Sequence, residues 1–205
     1  MSIGIRGLKV NNVPSHCPQG CIKIYDRHFR LCRKLASNGG HIYSFSPFIY
    51  GEHKTLLTQD RENGYREAMG AAGKPIDSGW VVEGRLTIEG AMSATEALLD
   101  HPKRPTAIFC ANDEMAMGCL HAIRSAGLQV PKDISVMGFD DNRYAKITQP
   151  PLTTIAQPAR IIGMKVMQRL LHEIEHGRSR DTEPEIVPHQ LVVRASTAPP
   201  GQTKA

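Results

Sequence analysis

The chain has 205 residues, of which 40% are hydrophobic and 22% are charged, proportions typical of a globular protein with a substantial core. No apolar stretch approaches the length of a transmembrane helix and the N-terminus has no continuous apolar segment of the secretory type, so we expect a cytoplasmic protein with no membrane partner. The net charge of +5 lies entirely in residues 1–60, with eight Lys or Arg against three Asp or Glu, and this favours a solvated basic face over a nucleic-acid site.

The first segment, residues 1–56, shows no clear hydrophobic period. Within it we expect a helix over 22–35 and a strand over 41–50. One cluster of side chains in it could bind a metal, namely His16, Cys17, Cys21, His28 and Cys32. Their spacing does not match a common structural zinc site, and five cysteines in a reducing compartment are expected to stay free thiols. We therefore expect no metal and no cofactor.

From residue 57 onward, segments with the apolar spacing of helices alternate with short apolar segments typical of strands. Helices are predicted over 58–72, 89–99, 113–126 and 158–176. Strands are predicted over 80–82, 106–110, 134–139, 152–155 and 185–193. This alternation predicts an α/β fold whose parallel sheet is flanked by helices. In such sheets ligands bind beyond the carboxyl ends of the strands, which directs attention to the loops 84–89, 111–113 and 140–151.

The most informative segment runs from Arg104 to Gly118. It reads as a buried strand, then the polar pair Asn112-Asp113, then a helix. A carboxylate at that strand end accepts hydrogen bonds from ligand hydroxyl or N–H groups. The alternative interpretation is that the pair only caps the helix, and spacing alone does not decide between the two.

Three further segments follow in order, namely 127–141, 150–158 (Pro-Pro-Leu-Thr-Thr-Ile-Ala-Gln-Pro) and 191–197 (Leu-Val-Val-Arg-Ala-Ser-Thr). Together with 104–118, they resemble the LacI/GalR family of bacterial transcriptional regulators over residues 57–198. The resemblance implies a periplasmic-binding-protein-like fold whose two lobes close on a sugar or nucleoside-like effector. It also implies a homodimer that is not an enzyme, and operator DNA as the partner of a relative carrying the DNA-binding headpiece.

The resemblance assigns ligand contacts residue by residue. Asp113, preceded by Asn112, matches the aspartate that contacts the effector, and Arg61 matches an arginine that also reaches it. A guanidinium suits this role because its planar fork fixes the orientation of a ligand. Leu86 stands where many members place an aromatic side chain that stacks on the ligand, which leaves the chemical class of the effector open. Arg61 as an ordinary surface residue of its helix is the alternative.

The chain departs from the family before residue 57. No helix-turn-helix pattern is found in residues 1–60, and these residues are too few for the several βα units of a full N-terminal lobe. We therefore expect a divergent or truncated segment over 1–56, a sensor domain over 57–198 with an incomplete N-terminal lobe and a complete C-terminal lobe, and a tail over 199–205.

No nucleophile elbow, phosphate-binding loop or dinucleotide-binding loop occurs in the sequence. The adjacent residues Asp140 and Asp141 could suggest a catalytic pair of carboxylates, but the side chains of neighbours in sequence usually diverge. The family resemblance implies that this pair lies in a structural turn. The sequence thus predicts a sensor domain. Two alternatives are a sugar-binding protein of the periplasmic transport type and a remnant that binds no ligand.

Overall fold

The structure is a computed structural model, which describes residues 47–52, 56–177 and 187–199. The helix expected over 22–35 and the cluster of five possible metal ligands in the first segment lie outside these residues. The expected incompleteness of the N-terminal lobe also concerns residues before 47, which lie outside the described ranges.

Four helices and six short strands make up the described fold. The helices are α1 (Leu56–Ala71), α2 (Ile88–Leu99), α3 (Asp113–Ser125) and α4 (Ala159–His176). The strands are β1 (Phe48–Tyr50), β2 (Val81–Glu83), β3 (Ala107–Cys110), β4 (Ser135–Met137), β5 (Thr154–Ala156) and β6 (Gln190–Val192). The predicted helices are confirmed to within about two residues at each end. Within these residues, no helix is both long and apolar enough to cross a membrane.

The main sheet is parallel, in the order β2-β1-β3-β4. Phe48 of β1 pairs with Val81 on one side and with Phe109 on the other. β1 therefore lies inside the sheet, although it precedes the predicted domain boundary at residue 57. Its sequence is continuously apolar because a strand buried on both faces has no solvent side to alternate with.

The helices lie on both faces of this sheet. The connection β1-α1-β2 moves in one direction along the sheet, whereas β2-α2-β3 and β3-α3-β4 move in the other. Because such crossovers are right-handed, α1 lies on one face while α2 and α3 share the opposite face. α2 and α3 approach closely at Gly118, where an added Cβ would collide with the backbone carbonyl of Ile88.

Helix ends follow their sequence signals. Thr87 caps α2 by accepting a hydrogen bond from the backbone N–H of Gly90, and Asn112 caps α3 in the same manner. Gly127, with φ +75°, follows the end of α3 in a backbone conformation that glycine adopts at little cost.

β5 and β6 form a separate antiparallel pair, and the segment after β6 returns to the main sheet. There the Ser196 hydroxyl donates a hydrogen bond to the carbonyl of Val136 at 2.6 Å and accepts one from the Thr153 backbone N–H at 2.7 Å. The C-terminal segment is therefore fixed to β4. The last strand was predicted over 185–193, but it is regular only over Gln190–Val192. Residues 187–189 are described and are not part of a strand, and residues 185–186 lie outside the described ranges.

The strand predicted over 152–155 is regular only over Thr154–Ala156, and two further strand predictions need correction. Trp80 was predicted to begin a strand, but it ends a short 3₁₀ turn, Ser78–Trp80. The Asp77 side chain caps this turn by accepting a hydrogen bond from the backbone N–H of Gly79. The strand itself begins one residue later. The strand predicted over 134–139 is regular only over Ser135–Met137. After it, Asp140 and Asp141 take positive φ values of 117° and 53°, which breaks the extended conformation.

Candidate functional site

The strand order creates a crevice between β1 and β3. The helix after β1 leads to one side and the helix after β3 leads to the other, so the chain diverges at this point of the sheet. Ligands of doubly wound sheets bind beyond the carboxyl ends of the strands at such a switch point. The residues that follow β1, β3 and β4 are therefore the ones to examine.

Arg61 reaches this crevice from α1. Its side chain is only 4% exposed, and its Nη1 donates a hydrogen bond to the carbonyl of Ala111, the residue directly after β3. The guanidinium carbon lies 4.0 Å from the ring centroid of Phe139, which is a cation–π contact. The Arg61 guanidinium is thus held in a fixed orientation at the carboxyl edge of the sheet.

Asp140 provides the opposite charge. Its Oδ1 lies 3.7 Å from Nη2 of Arg61 and accepts a hydrogen bond of 2.5 Å from Nε2 of Gln157. Burial raises the pKa of Asp140 above its usual range, and the charge of Arg61 acts in the opposite direction. Because the Asp140 side chain is still 39% exposed, this carboxylate is open to a bound molecule.

Asp113 lies in different surroundings. The residue is 1% exposed, and its carboxylate accepts hydrogen bonds from the Thr154 hydroxyl at 2.5 Å and from the Asn142 backbone N–H at 2.7 Å. An added Cβ at Gly138 would collide with its Oδ1. Burial raises the pKa of Asp113 to about 6, although both hydrogen bonds lower it. Each carboxylate oxygen thus has a protein partner, and the ligand contact expected of Asp113 stays a prediction.

The two remaining predicted residues also take defined places. Asn112 is the N-cap of α3, and its side chain accepts a hydrogen bond of 2.8 Å from the backbone N–H of Met115. Leu86 has a positive φ of 57°, and its Cδ2 would lie 2.6 Å from a Cβ added at Gly51, just beyond β1. Leu86 therefore borders the crevice, whereas the Asn112 side chain serves the capping role that the sequence left as its alternative.

The adjacent carboxylates Asp140 and Asp141 diverge, as expected for neighbours in sequence. Asp141 forms an ion pair of 2.6 Å with Nη2 of Arg194, which also donates from Nη1 to the carbonyl of Leu152 at 2.8 Å. Only Asp140 faces Arg61. The expectation that both residues serve a structural turn describes Asp141. It does not include the contact of Asp140 with Arg61.

Sequence reasoning did not identify Asp140, Phe139 and Gln157 as parts of this site. The available signal was positional, because Asp140 begins the loop after β4 at the carboxyl edge of the sheet. No sequence pattern shows which carboxylate turns toward Arg61, since that depends on the left-handed backbone at Asp140. Within residues 47–52, 56–177 and 187–199, no group of three or more His, Cys, Asp or Glu side chains could hold a metal ion.

Comparisons with known proteins identify the family and the fold. Residues 40–197 match the family described as periplasmic binding protein-like domain. The HTH-type transcriptional repressor PurR of Vibrio parahaemolyticus is 40% identical over 161 residues, which are 77% of this chain and 48% of that protein. The chain therefore spans about half the length of the curated relatives it matches.

Solved structures give the same result. A putative transcriptional regulator LacI from Bacillus cereus subsp. cytotoxis has a TM-score of 0.82 at 25% identity, covering 92% of this chain and 67% of its own. A complex of the transcriptional regulator CelR with cellobiose has a TM-score of 0.78 at 28% identity, covering 90% of this chain and 56% of its own.

Proposed function

Because the chain belongs to the LacI family of transcriptional regulators and carries their periplasmic-binding-protein-like domain, we propose that it senses a small polyhydroxylated or nucleoside-like effector at the crevice beyond β1, β3 and β4. Its relatives are transcriptional repressors and not enzymes. We propose operator binding only for a protein in which this domain is joined to a helix-turn-helix. Such a protein would act in the cytoplasm.

The observation that carries the proposal is the pair formed by Arg61 and Asp140. A guanidinium donates up to five hydrogen bonds in a fixed plane, and a carboxylate accepts several. Held 3.7 Å apart at a sheet edge, they present donors and an acceptor side by side, which suits neighbouring hydroxyl groups or the ring edge of a nucleobase. The similar regulator CelR was solved with cellobiose, a molecule rich in hydroxyl groups.

We further propose that Asp113 acts on the effector indirectly. Through the N–H of Asn142 and the hydroxyl of Thr154, it fixes the loop that carries Asp140. Asn112 caps the helix that begins at Asp113, and so supports the same arrangement. Leu86 would contribute apolar contact and no stacking, because it has no aromatic ring. Asp140, whose side chain is 39% exposed, is then the more open of the proposed contacts, and Arg61, which is 4% exposed, lies beside it and orients its carboxylate.

The experiment is a calorimetric titration of the chain with monosaccharides, disaccharides including cellobiose, and nucleosides. We expect one class to bind, and Arg61→Met and Asp140→Asn each to weaken that binding by about 10- to 100-fold, since one charged hydrogen bond contributes about 1.5–3 kcal/mol. Arg66→Met is the matched control, because Arg66 lies on the same helix but pairs with Glu62 at the surface. Equal affinity in all three variants would overturn the site.

A further inference from the structure

The C-terminal end of α4 carries two histidines on one side of the helix. Its last five residues are His172, Glu173, Ile174, Glu175 and His176, so the two imidazoles are four positions apart. Residues at this spacing are neighbours on a helix surface, with Cβ atoms about 5–6 Å apart. No other two of the nine histidines in the sequence lie so close together along the chain. They lie outside the cluster of the first segment, whose spacing was the reason for expecting no metal.

The two imidazole rings lie against each other at the surface. Their centroids are 4.5 Å apart, at an interplanar angle of 26°. Both residues are exposed, and 61% of the His176 side chain is open to solvent. Two nitrogens bound to one ion at about 2.0–2.1 Å lie roughly 3 Å apart. Rings this close together need only small side-chain rotations to bring one nitrogen of each to that separation.

A backbone contact selects the nitrogen that His176 offers. Its Nδ1 lies 3.2 Å from the carbonyl oxygen of His172. Because a carbonyl oxygen only accepts, Nδ1 carries the proton and donates it, and the lone pair of the neutral ring is then on Nε2. Metal-binding histidines usually hold their second ring nitrogen in this manner, which fixes the tautomer and raises the basicity of the ligand. His176 is therefore prepared to bind an ion through Nε2.

The charges around the pair favour a cation. The histidines lie at the C-terminal end of α4, where carbonyl groups without helical partners give the helix a partial negative charge. Glu175, whose side chain is 68% exposed, has its Oε2 4.0 Å from Nδ1 of His176. Glu173 is turned along the helix toward Arg169, whose Nε lies 3.4 Å from its Oε1, so these two charges offset each other. Glu175 and the helix end therefore leave the surroundings negative.

We propose that His172 and His176 bind one divalent transition-metal ion, each through an imidazole nitrogen. Imidazole suits Zn²⁺, Cu²⁺ and Ni²⁺, whereas Mg²⁺ and Ca²⁺ prefer oxygen ligands. Both ligands stand on one helix, so little conformational freedom is lost when they meet at the ion. The affinity should rise from Co²⁺ through Ni²⁺ to Cu²⁺, the usual order for nitrogen ligands.

The same five residues have the order His-Glu-x-x-His, which occurs on the zinc-binding helix of metalloproteases. In those enzymes the glutamate is the general base and a third protein ligand completes the site. Here Glu173 pairs with Arg169, and among the residues that the structure describes no third His, Cys, Asp or Glu side chain completes a group that could hold a metal. The pair is therefore a binding site with two protein ligands and water in the remaining positions, and we expect no catalysis there.

The test is a titration of the full chain with NiCl₂, followed by ¹H–¹⁵N NMR, because paramagnetic Ni²⁺ broadens the signals of nuclei close to it. We expect the amide signals around His172 and His176 to broaden at lower Ni²⁺ concentrations than those around any other histidine. His172→Ala and His176→Ala should each weaken binding at this place by about 10- to 100-fold, because one of two ligands is lost. His121→Ala, which removes an exposed histidine of α3, is the control and should leave the response of α4 unchanged.

The decisive variant exchanges two neighbours, Ile174→His with His176→Ile. It keeps the composition but places the two imidazoles two residues apart, on different sides of the helix. Ile174 is 70% exposed and the His176 side chain 61%, so the exchange leaves the core intact. The selective broadening at the end of α4 should disappear.

Three results would each overturn the proposal. They are selective broadening that survives the exchange, broadening that neither alanine variant reduces, and an unchanged chain whose α4 signals show no selective broadening up to about 1 mM Ni²⁺. The NMR signals report on α4 alone, so Ni²⁺ bound elsewhere on the chain does not affect the outcome. His172 and His176 lie outside the crevice beyond β1, β3 and β4, so the result is independent of the proposed function.

Discussion

Asp113 and Thr154 join two segments that are 41 residues apart through a hydrogen bond of 2.5 Å, in which the threonine hydroxyl donates to the carboxylate. The other carboxylate oxygen accepts from Asn142, in the loop after β4. One buried side chain thus links the start of α3, this loop and β5. Because the loop begins with Asp140, its position depends on an acid that is itself shielded from solvent.

The first prediction concerns the pH dependence of stability. Burial raises the pKa of Asp113 from 3.8 to about 6, so between these values the folded protein binds a proton that the unfolded chain has released. The stabilisation is complete below the unfolded pKa and is lost as the pH rises to about 6. A shift of this size corresponds to on the order of 3 kcal/mol. Asp113→Asn imitates the protonated acid and should remove this loss.

Urea unfolding of both proteins from pH 4 to pH 7 measures the effect. The difference in free energy of unfolding between Asp113→Asn and the unchanged chain should grow with pH and level off above pH 6. A difference that is constant over this range would show that Asp113 titrates normally.

The second prediction concerns the electrostatic coupling of Arg61 and Asp140. The positive charge of Arg61 lowers the pKa of Asp140, whereas burial raises it. Arg61→Met removes the lowering contribution, so the pKa of Asp140 should rise further. Carboxyl ¹³C NMR titration of Asp140 measures this directly. Arg66→Met, on the outer side of the same helix, should leave the titration in place, and an unchanged pKa in Arg61→Met would contradict the contact.

The third prediction concerns the crossing of α2 and α3. Gly118→Ala places a methyl group against the carbonyl of Ile88, so the two helices must separate and the protein should lose about 1–3 kcal/mol. Gly70→Ala is the matched control, because it lies in a helix and has no atom within 4 Å of the added Cβ. It should stabilise the chain by about 0.5–1 kcal/mol. Thermal unfolding of both variants should therefore give shifts of opposite sign.

The fourth prediction concerns the ion pair of Arg194 and Asp141. Both side chains are largely buried, at 13% and 19% exposed, and Arg194 also donates to Leu152. Arg194→Met leaves the Asp141 charge without its partner and should cost about 3–5 kcal/mol in urea unfolding. Asp141→Asn with Arg194→Met should cost less than Arg194→Met alone, because the buried charge is gone. Equal costs would mean that the charges are not coupled.

The sequence by itself determined the helices, their caps and the class of fold. Helical periodicity and the signals at Asn112 and Gly127 are local, so they are readable without the rest of the protein. The motifs in 104–158 also identified the family, which the comparisons confirm. They directed attention to the loops after β3 and β4, where the candidate site lies.

Only the tertiary structure decided which carboxylate at that edge of the sheet is buried and which is partly exposed. Asp113 and Asp140 both follow buried strands, and their residue types are identical. The difference arises because Thr154 and Asn142 enclose Asp113, while a left-handed backbone turns Asp140 toward Arg61. Likewise, the position of β1 inside the sheet depends on pairing with β2 and β3, which lie far from it in the sequence. Contacts between distant segments depend on packing, which no local pattern records.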